Sequence, residues 1–166
     1  MKIGVTSDTH SRDLPPQMLK DFETVDFIVH AGDFCSGSDL KKLQAIKEVQ
    51  GVYGNMDGPD IHTIFPRKQV LKLGLFKIGL FHGEGPPQMI LDRVKAEFAK
   101  EKVDCIVFGH SHRPFNERIS GVLYFNPGSP NDTVFAPYCS YGILEISKEG
   151  IKGKVVKVVA ADRTPS

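Results

Sequence analysis

The chain has 166 residues, of which 25% are charged, and its formal net charge is +1 at pH 7. This length suits one domain with a sizeable core, and we expect residues 1–166 to form a single domain that ends in a flexible tail at 160–166. The balanced charge argues against a disordered, highly charged chain and against a dedicated nucleic-acid binder, although it leaves a nucleic-acid substrate open.

Apolar and β-branched runs predict strands, and two Pro-Pro pairs and a polar capping pattern predict the starts of helices. In chain order we predict a strand at 2–7, a helix at 15–22, strands at 25–30 and 49–53 around a helix at 36–49, strands at 68–73 and 76–81, a helix at 86–102, and strands at 103–108, 122–125, 141–146 and 151–159. Ser36 and Asp39 have the spacing of a capping box for the second helix.

The order of these elements restricts the topology. Strands that alternate with helices at the start of the chain favour a parallel region, and the later hairpins add antiparallel strands. A mixed sheet satisfies both patterns, and so do two sheets packed face to face with helices outside. The fold class is therefore α/β.

The cysteines and the first residues bear on the cellular compartment. Cys35, Cys105 and Cys139 are an odd, irregularly spaced set, which argues against a disulfide framework and against a thiolate zinc site. The chain begins in a predicted strand, and we expect neither a signal peptide nor a membrane-spanning segment. We therefore expect a cytoplasmic protein with no membrane partner, and self-association is compatible with the sequence.

Five predicted strands end in side chains that can bind a metal ion. They are Asp8 and His10, then Asp33, then Asn55, then His82, and finally His110 and His112. Any one of them could be an ordinary turn residue, but strand ends of α/β sheets are where sites form. If the chain stays extended after the strand at 103–108, His110 and His112 point the same way.

The mixture of imidazole, carboxylate and amide ligands indicates the type of ion. Without a thiolate, it suits Mn²⁺, Fe²⁺, Zn²⁺ or Ni²⁺. Seven protein ligands are too many for one catalytic ion with an open position. They are about right for two ions that share a carboxylate and lie roughly 3.5–4 Å apart.

These residues form motifs that resemble the five blocks of the calcineurin-like metallophosphoesterases. In order, the blocks are Asp8-Thr9-His10, Gly32-Asp33, Gly54-Asn55, His82-Gly83 and Gly109-His110-Ser111-His112. The short length and the segment Asn126-Pro127-Gly128-Ser129 are similar to the small prokaryotic phosphodiesterases of that superfamily. The resemblance covers residues 2–146, and five blocks in order are specific, whereas Gly-Asp and Gly-Asn alone are weak signals.

The resemblance implies a four-layer α/β/β/α sandwich of two mixed sheets flanked by helices. It also implies two divalent ions per chain, with Mn²⁺ expected before Ni²⁺, Fe²⁺ or Zn²⁺. One ion would be held by Asp8, His10, Asp33 and His112, and the other by Asp33, Asn55, His82 and His110. Asp33 would be the shared ligand.

The activity that the resemblance implies is hydrolysis of phosphate diesters by in-line attack of a hydroxide that bridges the two ions. Asn55, Asp33 and His10 are the residues that we expect to act in catalysis. Many family members have His after Gly-Asn, where this chain has Met56. Because methionine cannot donate a proton to a leaving group, we expect poor activity on alkyl monoesters and better activity on diesters or activated aryl esters.

Other polar residues are weaker candidates. Arg12, Asn126 and Ser129 could contact substrate. We interpret His30 as a structural histidine, with support of the metal site as the alternative. Asp57 either orients the preceding amide or caps its turn.

Two other functions remain open. The same fold gives a retromer scaffold subunit with a degenerate site, but here a competent residue fills every ligand position, which favours catalysis on a small phosphodiester. A nuclease of the same superfamily is the third possibility, although the small size and neutral charge leave little room for a nucleic-acid groove.

Overall fold

Two five-stranded sheets form the framework of this computed structural model, which describes residues 1–159. The expected flexible tail at 160–166 lies outside these described residues. The first sheet contains β1 (Lys2–Thr6), β2 (Phe27–His30), β3 (Val49–Gly51), β9 (Ser140–Ser147) and β10 (Gly150–Lys157). The second contains β4 (Lys68–Leu73), β5 (Phe76–Phe81), β6 (Cys105–Val107), β7 (Phe115–Ile119) and β8 (Val122–Asn126).

Both sheets are mixed, as the element order predicts. The first sheet has the order β10-β9-β1-β2-β3, with β1, β2 and β3 parallel and β9 antiparallel to β1 and β10. The second has the order β4-β5-β6-β8-β7, with β5, β6 and β8 parallel between two antiparallel edge strands. The loops that follow the parallel strands of each sheet therefore lie at the same end of that sheet.

Helices cover the outer face of each sheet, and this confirms the four-layer sandwich. They are α1 (Pro16–Phe22), α2 (Gly37–Gln44), α3 (Pro59–His62), a 3₁₀ turn (Pro87–Met89) and α4 (Ile90–Glu97). Phe22 and Leu43 pack α1 and α2 on the first sheet, and Val94 packs α4 on the second. The sheets bury a separate core that includes Val29 and Leu80. Each fully buried side chain of this size contributes roughly 1.5–3 kcal/mol.

The predicted ends of two helices were wrong. The helix predicted over 36–49 ends at Gln44, and the helix predicted to reach 102 ends at Glu97. Ser36 makes no capping bond. The predicted capping pair instead binds the loop after β1, because Asp39 accepts a bond of 2.9 Å from the Ser11 amide and Ser36 accepts one of 2.7 Å from the Ser11 hydroxyl.

Two elements were not predicted. α3 has only four residues, and β7 is an edge strand whose three central residues are exposed. Neither gives the apolar periodicity on which the prediction depends. No helix in residues 1–159 is long and apolar enough to cross a membrane.

Candidate metal centre

The loops that follow five strands meet at one edge of the sandwich. The loops of the first sheet carry Asp8 and His10 after β1, Asp33 after β2 and Asn55 after β3, and those of the second sheet carry His82 after β5 and His110 and His112 after β6. Side chains that are up to 104 residues apart in sequence therefore share one site.

Asp8 lies fully buried at the centre of this group. Its Oδ2 accepts hydrogen bonds from the Ser7 hydroxyl at 2.7 Å and from the His110 amide at 3.1 Å. Its Oδ1 is buried and makes no hydrogen bond to a described residue. That atom lies 3.2 Å from Nε2 of His112 and 3.7 Å from Nε2 of His10. A buried carboxylate oxygen among ring nitrogens requires a cation or protons to offset its charge.

Asp33 has the same arrangement. Its Oδ1 accepts a bond of 2.9 Å from the Met56 amide. Its Oδ2 lies 3.4 Å from Nε2 of His82 and 3.6 Å from Nε2 of His10. In both carboxylates, one oxygen is held by the protein and the other faces imidazoles.

Two histidines are held by a contact on the ring atom that points away from the cluster. Nδ1 of His82 donates to the Ala31 carbonyl at 2.7 Å, and Nδ1 of His10 lies 3.1 Å from Sγ of Cys35. The Ala31 bond places a proton on Nδ1 of His82, so Nε2 is the nitrogen available to a metal ion. This is the usual way in which proteins orient a metal-binding histidine.

The chain is not extended at His110 and His112, so the condition under which the two side chains would point the same way is not met. Their φ angles are 68° and 55°, in the left-handed region. Nδ1 of His112 donates to Oδ2 of Asp132 at 2.5 Å, so its Nε2 faces Asp8. His110 uses the other nitrogen, because its Nε2 donates to the Gly85 carbonyl at 3.0 Å. The two histidines therefore lie at opposite ends of the cluster.

Asn55 completes the end that contains His110. Its Oδ1 lies 3.1 Å from Nε2 of His82 and 3.0 Å from Nδ1 of His110. Met56, which follows it, is 58% exposed beside the site.

The donor atoms fit divalent ions of borderline or hard character. Two groups of three residues have ligand atoms that all lie within 4.8 Å of one another, namely Asp8, His10 and His112, and Asp8, Asp33 and His82. Carboxylate and imidazole donors at this spacing are typical of such ions. Asp8 is common to both groups, and the shared-ligand role of Asp33 stays a prediction.

The charges of the cluster are strongly coupled. Burial raises the pKa of Asp8, but the nearby imidazoles of His82, His10 and His112 outweigh burial, so the pKa lies below its usual range. Burial lowers the pKa of His82, but Asp8 and Asp33 outweigh it and raise the pKa to about 9. Opposite charges therefore stabilise one another here, and a bound cation competes with protons for the same atoms.

The backbone of the site loops has an unusual conformation. Among residues 1–159, eight residues other than glycine have positive φ, and seven of them lie in the loops after β1, β2 and β6: Asp8, His10, Ser11, Asp33, Cys35, His110 and His112. This conformation costs roughly 1–3 kcal/mol at each residue and persists only where surrounding contacts enforce it.

Asp57 supplies some of these contacts. Its carboxylate accepts hydrogen bonds from the amides of Asp33 at 2.9 Å, Cys35 at 2.8 Å and Gly54 at 2.8 Å. The Gly54 bond caps the turn after β3, which is one of the two expected roles, and the other bonds fix the loop after β2. Position 54 requires glycine, since a Cβ there would lie 2.1 Å from Oδ1 of Asp33.

His30 is structural, as its position at the end of a buried strand indicates. It is fully buried, its Nε2 lies 3.1 Å from the Thr9 hydroxyl, and its Nδ1 accepts a bond of 3.1 Å from the Gly32 amide. Its ring stacks on Phe34. Burial is the largest cause that lowers the pKa of His30, to about 3, so the ring is neutral at pH 7.

Two of the three expected substrate contacts are placed differently from the prediction. Asn126 and Ser129 are fully buried. Asn126 donates to the Gly109 carbonyl at 3.0 Å, and Ser129 donates to the Asp8 carbonyl at 2.8 Å. These two bonds hold the loops after β6 and β1 in place. Arg12 is exposed, with Nη1 4.0 Å from Oδ1 of Asp132, and its contact with substrate stays a prediction.

Asp132 is the functional residue that the sequence did not reveal. It lies in the loop between β8 and β9, where Asn131-Asp132 has the composition of an ordinary turn. Only the structure shows that its side chain is buried against His112.

Comparison with known proteins agrees with this geometry. The sequence profile of the calcineurin-like phosphoesterase superfamily domain matches residues 1–149. The chain belongs to this superfamily. A probable metallophosphoesterase of Methanothermobacter thermautotrophicus is 36% identical to this chain, over 96% of this chain and 94% of the relative.

Solved structures share the fold. A protein described as a novel archaeal phosphodiesterase is 26% identical, with a TM-score of 0.73 over 94% of this chain and 100% of that chain. Vps29 of Entamoeba histolytica complexed with Zn²⁺ is 24% identical, with a TM-score of 0.72 over 96% of this chain and 100% of that chain. At this identity, the likeness to Vps29 shows the fold alone.

Proposed function

We propose that this phosphoesterase is a divalent-metal-dependent phosphodiesterase that uses two ions, with Mn²⁺ as the first choice. The observation that carries this proposal is that buried oxygens of Asp8 and Asp33 face ring nitrogens of histidines from both sheets. The archaeal phosphodiesterase with the same fold supports the choice of a diester substrate.

The residues present fit two ions. We assign Asp8, His10, Asp33 and His112 to one ion, and Asp33, Asn55, His82 and His110 to the other. When bound, the pair supplies Lewis acidity and a hydroxide nucleophile at neutral pH. The protein fixes the ring orientations through Ala31, Gly85 and Asp132.

Asn55 and Met56 set the expected substrate preference. The Oδ1 atom of Asn55 faces His82 and His110, so its Nδ2 is the donor that we assign to a non-bridging phosphoryl oxygen. Met56 cannot protonate a leaving group. The enzyme should therefore favour esters whose leaving group departs without an acid.

The test compares substrates on Mn²⁺-loaded protein. We expect turnover of bis(4-nitrophenyl) phosphate and little turnover of glycerol phosphate, an alkyl monoester. Asp33→Ala should abolish the activity, and Asp92→Asn, an exposed carboxylate on α4, should not change it. Equal turnover of the two esters would contradict the diester preference, and metal-independent turnover would contradict the mechanism.

A scaffold function, which other proteins of this fold have according to the resemblance, is the second candidate. An inactive chain that still binds Mn²⁺ would support the scaffold. A nuclease stays the third candidate, and salt-sensitive binding to DNA would support it.

We also propose that the whole chain is one metallophosphoesterase domain. The cysteines Cys35, Cys105 and Cys139 are free thiols, which supports the proposal of a reducing, cytoplasmic compartment. Thiol titration of protein purified without reductant tests this second point.

A further inference from the structure

The loop between β8 and β9, residues 127–139, presents two adjacent apolar side chains to solvent. Val134 is 71% exposed and Phe135 is 76% exposed. Single apolar residues are common on protein surfaces and need no explanation. These two differ because a buried carboxylate of the candidate site fixes their backbone.

That carboxylate is Asp132. Its Oδ1 accepts hydrogen bonds from the amides of Val134 at 2.8 Å and Phe135 at 3.1 Å. Its Oδ2 accepts the bond from His112, whose other nitrogen lies 3.2 Å from Asp8. One buried side chain therefore connects the exposed apolar pair to the cluster, and it fixes the backbone of the pair next to the residue that holds His112.

A cation lies at the same place. The guanidinium of Arg12 is half-exposed, 4.0 Å from Oδ1 of Asp132. Ligand sites combine apolar surface with a few placed polar groups, and exposed aromatic rings bind planar ring systems by stacking. An apolar surface beside a cation and a phosphoryl site fits an anionic ester that carries a planar aromatic group.

Resting on the proposed phosphodiesterase function, we propose that Val134 and Phe135 form the contact surface for an aromatic group on the substrate's retained ester, the one that is not cleaved. The preferred substrates are then diesters whose retained ester group carries an aryl ring or a nucleobase. Because the loop is attached to His112 through Asp132, this surface acts at the end of the cluster that contains His112.

Three diesters with one common leaving group test this assignment. Bis(4-nitrophenyl) phosphate carries a second aryl ring, thymidine 5′-(4-nitrophenyl) phosphate carries a nucleobase, and methyl 4-nitrophenyl phosphate carries neither. We expect Phe135→Ala to lower kcat/KM about tenfold on one or both aromatic esters, mainly through KM. The methyl ester should change less than about twofold, and Phe135→Tyr should retain the wild-type values.

The matched control is Leu75→Ala, since Leu75 is an apolar residue in the β4–β5 turn that is 96% exposed. It should leave all three esters unchanged. The ratio of the two aromatic esters shows whether an aryl ring or a nucleobase is preferred.

A binding measurement does not depend on turnover. In the ¹⁵N spectrum of Zn²⁺-loaded protein, thymidine 5′-monophosphate should shift the amides of Val134 and Phe135, and methyl phosphate should not. Equal losses on all three esters in Phe135→Ala would overturn the proposal, because they would mean that Phe135 acts on the cluster through Asp132. Unchanged kinetics with no selective shift would also overturn it. Selective shifts in a wild-type protein that hydrolyses none of the esters would support the contact and refute the phosphodiesterase function.

Discussion

The two sheets contribute different chemistry to the one cluster. The first sheet supplies all the candidate oxygen ligands and one imidazole, namely Asp8, Asp33, Asn55 and His10, and the second supplies imidazoles alone, namely His82, His110 and His112. The negative charge of one sheet thus faces the nitrogen donors of the other. The site forms only when the sheets pack together, so the same core that stabilises the fold sets the distances between the ligands.

The hydrogen bonds that hold the candidate ligands in place also differ between the two sheets. The carboxylates of the first sheet are held by neighbouring donors such as the Ser7 hydroxyl and the Met56 amide. The imidazoles of the second sheet depend on acceptors from other segments. For His112 the acceptor is the buried Asp132, whereas for His110 it is the carbonyl of the exposed Gly85. We therefore expect the end that contains His112 to be the more rigid.

The largest effect should come from Asp33→Asn, which removes charge from the first sheet. Oδ2 of Asp33 faces imidazoles from both sheets, and a loss of about 4 kcal/mol of transition-state stabilisation lowers kcat/KM about a thousandfold. Asparagine can still accept the bond from the Met56 amide, so the fold should persist. Elemental analysis and turnover of bis(4-nitrophenyl) phosphate measure the effect, with Asp92→Asn as the control. A variant that keeps both ions and its activity would refute the shared role of Asp33.

A smaller effect should follow from Asp132→Asn, which changes the residue that holds His112 of the second sheet. An amide at this position no longer selects the tautomer of His112 that leaves Nε2 free, although its oxygen can still cap the amides of Val134 and Phe135. Loss of such an outer contact typically costs about 10- to 100-fold in metal affinity.

Calorimetric titration with Mn²⁺ measures this loss, and Asp13→Asn, which changes an exposed carboxylate, is its control. We expect one of two binding steps to weaken while the other stays unchanged. Equal weakening of both steps would mean that the two ends of the cluster are not independent.

The sequence predicted the candidate ligands, which the structure brings together, but not the residues that hold them in place, and the reason is physical. Each ligand of the first sheet follows a strand directly, so its position depends on short-range pattern and on parallel pairing. Asp132 depends on how a 13-residue loop folds back over the site, and no periodicity encodes that. The left-handed backbone at His110 and His112 could not be predicted for a similar reason, because tertiary contacts enforce a conformation that local propensity disfavours.

The pH dependence of stability tests the structural role of His30, which holds the loops of the first sheet. Its folded pKa of about 3 lies below the usual 6.5, so below pH 6.5 the unfolded chain binds a proton that the folded protein excludes. Stability should therefore fall as the pH decreases from 6.5, by roughly 1 kcal/mol per pH unit, and should be independent of this group above pH 6.5.

Urea unfolding between about pH 7 and pH 5 measures this dependence. His30→Gln should be less stable at pH 7 because it disturbs the bonds to Thr9 and Gly32, but its pH dependence should be shallower. His62→Gln changes an exposed histidine and should retain the wild-type slope. A wild-type slope in His30→Gln would show that the acid sensitivity arises at other groups.

The smallest effect should come from Arg12→Ala. This variant removes the ion pair of Asp132 with Arg12 and keeps the bond of Asp132 to His112. The pair between Arg12 and Asp132 is 4.0 Å long and half-exposed, and such pairs contribute at most about 1 kcal/mol. We expect Mn²⁺ affinity to stay within about twofold, while KM for bis(4-nitrophenyl) phosphate rises at most about fivefold if the guanidinium binds the phosphoryl group. Arg93→Ala, in which a similarly exposed arginine of α4 is lost, should change neither quantity. If Mn²⁺ affinity fell as far in Arg12→Ala as in Asp132→Asn, the exposed ion pair, and not the buried bond to His112, would be what holds Asp132 in position.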